Sequence, residues 1–287
     1  MNEELSIGIV PGFQEIQLMP GEEYQGSFSI INPSQDESNL VNYRIITTPF
    51  SVSSENYDMN FTKETEYTDI VDWISIEEKT GTLSSEELKE VYFTINVPET
   101  AKSGGQYASI MVRIENPETS NDGYAIISRS QVAMILYATV NTDLESKGDI
   151  VENKIPAFSF NSPISVTSRI SNTGNVHSKA ANILRIENIF TGAEIYSTVN
   201  SPKINSILPG TELLVVDTWE ETPALGIFRV TQSISYSNQV DTSTGIVLVC
   251  PMWFMAVWII FLLSCIMWFV SRRNIAIKNK KTIVKET

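Results

Sequence analysis

Apolar and polar positions alternate along most of the first 245 residues, in short runs separated by turn residues. Leu5-Ser6-Ile7-Gly8-Ile9 alternates, and Pro20-Gly21 marks a turn. Residues 24–31 (YQGSFSII) alternate again and close at Asn32-Pro33-Ser34. Residues 41–47, 91–97, 107–114 and 125–140 continue the pattern, with Asn121-Asp122-Gly123 between the last two read as a hairpin turn. Strands recurring roughly every ten residues, with no long helical period, predict a β-sandwich. Residues 53–72 are irregular and polar, and one helical turn is expected near Asp69–Trp73. A long loop of that kind is a common seat of binding function.

The theme repeats from residue 142. Residues 163–171, 181–187, 211–218 and 228–237 read as strands. Asn172-Thr173-Gly174-Asn175, Thr191-Gly192 and Pro209-Gly210 read as turns, and the charged stretch 143–153 as the link between the halves. Each half has a Pro-Gly turn before an alternating strand and an Asn-rich turn after an early one, a weak mark of duplication.

From residue 245 to 270 the pattern breaks into GIVLVCPMWFMAVWIIFLLSCIMWFV, which carries no charge. A helix crossing the hydrocarbon core needs about 20 apolar residues. Pro251 stands near its start, where a missing N–H does no harm. Trp253, Trp258 and Trp268 suit interfacial anchoring, and Arg272 and Arg273 follow at once. Basic residues flanking a span stay in the cytoplasm, so residues 1–245 are expected outside the cell and the tail inside. Export of such a domain needs a signal peptide. Met1-Asn2-Glu3-Glu4 has neither a basic start nor an apolar stretch, so a signal removed beforehand is expected. The rival topology is a tail-anchored protein facing the cytoplasm. The expected organisation is all-β: a first immunoglobulin-like sandwich (1–141), a second (142–245), a transmembrane helix (246–271) and a basic cytoplasmic tail (272–287).

Charge supports the division. The last 16 residues hold six of the 20 Lys and Arg but one of the 34 Asp and Glu. The remainder is strongly acidic, which repels nucleic acid and excludes it as a partner. The lipid bilayer is the partner expected of the basic tail. The only cysteines, Cys250 and Cys265, lie in or beside the apolar run, so neither sandwich rests on a disulfide.

Chemistry is sparse. His177 is the only histidine, and its turn-like setting reads as a solvated loop. With no cysteine in either sandwich, a nucleophilic triad or a zinc site lacks parts. Asn56, Asp58 and Asn60 start like a calcium loop, but Phe61 and Tyr67 stand where that loop needs Gly and Glu. The acidic pairs Asp69/Asp72, Glu86/Glu87 and Glu220/Glu221 suit a glycosidase only if one pair faces across a cleft. Gly104-Gly105 lacks phosphate-loop spacing and reads as a tight turn. Trp73 and Trp219 read as core residues, with sugar stacking the alternative. No catalytic residue, metal site or cofactor is expected.

Several short motifs occur in a fixed order: Ser6-Ile7-Gly8-Ile9-Val10-Pro11, Pro20-Gly21-Glu22, Asn32-Pro33-Ser34, Trp73-Ile74-Ser75, Val97-Pro98 and Gly104-Gly105-Gln106-Tyr107-Ala108. Asn172-Thr173-Gly174-Asn175-Val176-His177 and Leu208-Pro209-Gly210 follow. In that order they resemble bacterial WxL-interacting surface proteins over nearly the whole chain. The resemblance implies a peptidoglycan-binding first sandwich, a second sandwich for a host or surface-protein partner, and a membrane anchor. It also implies partners carrying Trp-x-Leu, a motif this chain lacks. The function expected is thus a membrane-anchored, non-enzymatic binding or scaffold protein. The alternatives are an export-side assembly factor offering a strand edge, and a glycan hydrolase.

Overall fold

A computed structural model describes residues 6–53, 57–115, 130–141, 143–160, 162–237 and 239–283, with side chains in the last helix described through Arg272. The predicted Asn121-Asp122-Gly123 turn and Asn56 lie outside these residues.

The first sandwich begins with β1 (Gly8–Val10), β2 (Phe13–Leu18), β3 (Glu23–Ile31) and β4 (Val41–Pro49). A small hairpin, β5 (Ser51–Val52) and β6 (Met59–Asn60), and the predicted helical turn at Asp69–Trp73 follow. It is completed by β7 (Ile74–Ile76), β8 (Thr80–Leu83), β9 (Leu88–Asn96), β10 (Gly104–Ile114) and β11 (Gln131–Val140). Sheet β1-β3-β9-β7 faces sheet β2-β11-β10-β4-β8. The inward positions of alternating strands meet between them: Phe28, Ile30, Tyr43, Ile45, Phe93 and Ile110 are all buried.

The second sandwich comprises β12 (Gly148–Lys154), β13 (Phe158–Ser159), β14 (Ile164–Asn172), β15 (Ser178–Asn188), β16 (Glu194–Ser197), β17 (Lys203–Ile207), β18 (Glu212–Trp219), β19 (Gly226–Tyr236) and β20 (Gln239–Val249). Sheet β12-β14-β18 faces β13-β20-β19-β15-β16, with β17 also paired to β15. Trp219 is buried with its ring 5.0 Å from that of Phe228, edge to face, and Trp73 packs against the first core. Both tryptophans thus have the packing role read from the sequence.

Two expected boundaries move. The charged link is confined to 143–147, because residues 148–154 pair with β14 as β12. The second sandwich does not end at 245: β20 continues to Val249, with Val247 and Val249 in the core. Helix α1 (Met252–Ile283) begins only after it. The apolar run spans the end of a strand and the start of a helix, and apolarity alone does not separate the two. Residues Met252–Arg272 are long and apolar enough to cross a membrane, and none of them is buried in the fold.

The two Asn-rich turns share one construction. Asn32 directly follows β3, Asn172 is the last residue of β14, and both are fully buried. The amide of Asn32 donates to the Asn39 and Leu83 carbonyls, and its Oδ1 accepts from Ser34 N–H. The amide of Asn172 donates to the Val176 and Ile207 carbonyls at 2.9 and 2.7 Å, and its Oδ1 accepts from Gly174 N–H at 2.9 Å. A buried amide with its bonds filled ties three chain segments together. Asn172→Ala strands those main-chain groups, so it should lower stability by about 1–3 kcal/mol. Urea unfolding of the chain in detergent, followed by circular dichroism, measures this. Asn32→Ala should act alike on the first sandwich.

Candidate functional site

Three of the motifs singled out in the sequence, those at 104–108, 172–177 and 208–210, converge on the junction between the sandwiches. Strand β10 is buried without a break from Gly104 to Val112, although one of its faces lies outside the first core. A strand covered on both faces reads as a continuous apolar run, which is what YASIMV is. On the outer face Tyr107 meets Phe50, Tyr57, Tyr137 and Leu208 of the second sandwich.

Glycine lets the chains approach at one end of this contact. Gly105 N–H donates to the Asn175 carbonyl at 2.7 Å. Gly104 has φ +128°, and a Cβ there would lie 2.5 Å from the Asn175 oxygen. The turn carrying Asn175 is pinned in turn to the link. Its side chain accepts from Glu145 N–H at 2.7 Å and donates to the Asp143 carbonyl at 2.9 Å. Gly104-Gly105 is therefore less a turn than a docking point, and glycine is required there.

His177 is not a solvated loop residue. Its main-chain N–H donates to Tyr107 Oη at 2.8 Å, and its ring lies 5.3 Å from that of Tyr137 and 5.8 Å from that of Tyr107. Burial lowers its pKa below the ordinary 6.5, with a smaller opposing pull from Glu15 and a small push from Lys179. Burial also raises the phenols of Tyr57, Tyr107 and Tyr137, so all three stay protonated. Tyr57 Oη donates to the Ser206 carbonyl and accepts from Leu208 N–H at 3.0 Å. Glu15 and Lys179 form an ion pair across the junction at 2.8 Å, half-exposed and therefore weak.

Beside these contacts lies an open cavity of about 340 Å³, lined by Phe50, Lys63, Glu66, Tyr67, Tyr107 and Leu208 among others. The acidic pairs do not face across it. Asp69 and Asp72 sit exposed on the short helix, Glu87 caps a turn by accepting from Ser84 N–H, and Glu220 and Glu221 are exposed in a loop. Asn60 Oδ1 accepts from Thr62 and Lys63 N–H, a turn-building role rather than cation binding. Among the described residues no three His, Cys, Asp or Glu are placed to hold a metal. The predicted anchor residues all lie on α1. Trp253, Trp258 and Trp268 are exposed, Arg272 stacks over Trp268 at 4.7 Å, and Arg273 is the next helical residue.

The strand edges are a second feature that sequence pattern did not reveal. In each sandwich the final strand takes a parallel partner on its outer side. Strand β2 covers Ile135–Val140 of β11, whereas β13 covers only Leu248 and Val249 of β20. Leu248 N–H donates outward to the Ala157 carbonyl. Alternation then points the main-chain groups of Val240, Thr242, Thr244 and Ile246 to that same edge, where no described strand pairs with them. The same reasoning from Ile135, whose N–H donates to the Gly12 carbonyl, leaves Gln131 and Ala133 on a stretch of β11 with no strand partner among the described residues.

No protein-family model matches the chain, and no curated protein matches it. Solved structures do. The class 5 fimbriae chaperone CfaA aligns at TM-score 0.42 and 10% identity, over 86% of this chain and 100% of that one. The Salmonella enterica SafA pilin in complex with the SafB chaperone aligns at 0.41 and 8% identity, over 87% and 98%. A family 123 glycoside hydrolase from Clostridium perfringens aligns at 0.31 and 12% identity, over 48% of this chain but 28% of that one. These likenesses are in architecture alone.

Two outcomes test the junction. Gly104→Val should separate the sandwiches while leaving each folded: hydrogen exchange at Gly105 N–H should speed up, with strand amides in both cores unchanged. Acid should weaken the junction as well. Because the folded state holds His177 below its ordinary pKa, its neutral form contributes stability fully present above about 6.5. That contribution falls as pH drops from there toward the folded value. His177→Gln should flatten this part of a pH–stability curve recorded by thermal unfolding.

Proposed function

We propose that this chain is a membrane-anchored, non-enzymatic binding protein that holds an extended polypeptide by adding it as a strand. One observation carries the reading: the outer edge of β20 from Val240 to Ile246, whose N–H and C=O groups have no strand partner among the described residues. Such a row is a ready template for an extended segment, with main-chain hydrogen bonds giving affinity and side-chain pockets giving selectivity. Asp241, Thr242 and Thr244 are exposed, which keeps the edge soluble while it is empty. Helix α1 crosses the bilayer with Arg272 and Arg273 on the cytoplasmic side, so the sandwiches face outward. In this reading the protein acts on exported chains as an assembly factor. The resemblance to WxL-interacting proteins suggests the held segment belongs to a surface protein with Trp-x-Leu motifs and that the first sandwich touches peptidoglycan.

Site-specific photocrosslinking in cells tests the reading. A crosslinker at residue 244 should give a covalent adduct with one extracytoplasmic polypeptide, whereas one at Tyr92, exposed on a different sheet, should not. Val240→Pro with Ile246→Pro removes two edge donors where proline is tolerated and should cut the adduct at 244 at least tenfold. Equal crosslinking from both sites would sink strand capture. External protease on intact cells should digest both sandwiches and spare a tag on the C-terminus. The opposite pattern would reverse the topology.

A further inference from the structure

Four loops leave the second sandwich at one end. In sheet β13-β20-β19-β15-β16, Asn188 pairs with Phe228, Gly226 with Val249 and Ser159 with Val249, so these residues mark a common end of the sheet. Across the core, Ile164 pairs with Trp219 at the same end. Residues 160 and 162–163 and the segments 189–193, 220–225 and 250–251 therefore form a single pole. Three large apolar side chains stand exposed on it: Phe160 at 45%, Leu225 at 52% and Phe190 at 79%.

Phe190 is held out rather than left loose. Asn188 Oδ1 accepts from Phe190 N–H and Thr191 N–H, the Asn188 carbonyl accepts from Gly192 N–H, and Gly192 takes φ +69°. The turn is closed by its own hydrogen bonds and directs the ring to the surroundings. Phe160 is braced edge to face against Phe158, with centroids 4.5 Å apart.

What these rings meet follows from the connection to α1. Only Cys250 and Pro251 separate β20 from the helix, and Cys250 N–H still donates to the Ser159 carbonyl. Pro251 already accepts from Phe254 and Met255 N–H in the first turn of α1. Two residues span at most about 7 Å, comparable to the roughly 5–8 Å of headgroup layer on each side of a bilayer. Phe190 lies about 10 Å to the side of β20, two strand spacings away. We propose that this pole seats in the headgroup layer of the membrane that α1 crosses, with Phe160, Phe190 and Leu225 in the interface beside Trp253. Glu220 and Glu221 share the pole and are exposed. They keep the seat shallow, with the carboxylates in headgroup water.

The inference rests on α1 crossing the bilayer, and one set of labels separates the two statements. The full chain, with Cys250→Ser and Cys265→Ser, is placed in phosphatidylcholine vesicles. Nitroxides are attached at Phe190→Cys, Leu225→Cys, Val240→Cys or Ile260→Cys, all exposed positions. Collision rates with oxygen, which partitions into lipid, and with a water-soluble nickel chelate give the depth. A spanning helix puts label 260 in hydrocarbon. Labels 190 and 225 should then show interfacial depth, and label 240, at the far end of β20, should behave as in water. If 260 lies in hydrocarbon while 190 and 225 match 240, the pole does not touch lipid and the inference fails alone. Labels at 190 and 225 shielded from both reagents mean that protein covers the pole, which also overturns it. A water-exposed 260 overturns the anchor itself.

Discussion

The arrangement of this molecule depends on a contact that only glycine permits. With Gly104 at φ +128° and no side chain, β10 comes close enough for Gly105 to donate to the Asn175 carbonyl. Everything else at the junction follows from that approach. Tyr107 reaches His177, Tyr57 reaches the 206–208 segment, and the link 143–147 is held along the Asn175 turn. A bulky residue at Gly104 would leave two sandwiches joined by a short tether. With glycine there, the outward face of β10 becomes interior, and the phenols of Tyr57 and Tyr107 stay protonated and hydrogen-bonded within it.

The two sandwiches solve the same problems with different results. Each buries an asparagine after an early strand to tie three segments together. Each sends its first segment from one sheet to the other, so that it ends parallel to the last strand. In the first sandwich the crossing comes early, and β2 covers β11 over Ile135–Val140. In the second, β12 stays with its own sheet through Lys154, and β13 is left with two residues to pair. That β20 has no described strand partner over Val240–Ile246 is thus a matter of where the crossing falls. Pairing lost on β20 is gained between β12 and β14.

Much of the fold was legible because alternation with period two is a direct consequence of one buried face. The strands at 24–31, 41–47, 107–114, 163–171 and 228–237 could be read within a residue or a few of their limits. Short edge strands such as β7, β8, β13 and β16 were not, since two to four residues carry no period. The motifs of the junction were visible one by one, but their meeting was not, because sequence spacing does not reveal which faces of two domains touch. His177 is the clearest case: a Gly-Asn-Val-His turn reads as exposed, and a tyrosine 70 residues away leaves it half-buried. The apolar YASIMV run was the one available sign that β10 is covered on both sides.

Under the proposed function, the edge of β20 without a described partner, the junction and the helix α1 bear on one another. A strand edge binds weakly through its main chain alone and is also an aggregation hazard, so it must be both shielded from itself and brought near its partner. The polar sequence Asp241-Thr242-Ser243-Thr244 meets the first need, since Thr suits a strand while its hydroxyl stays hydrated. The two-residue connection to α1 meets the second. If α1 spans a bilayer as proposed, confining the edge to within about 30 Å of it, the length of nine strand residues, would raise its effective concentration toward chains emerging at that surface. On that proposal, modest intrinsic affinity would suffice for capture.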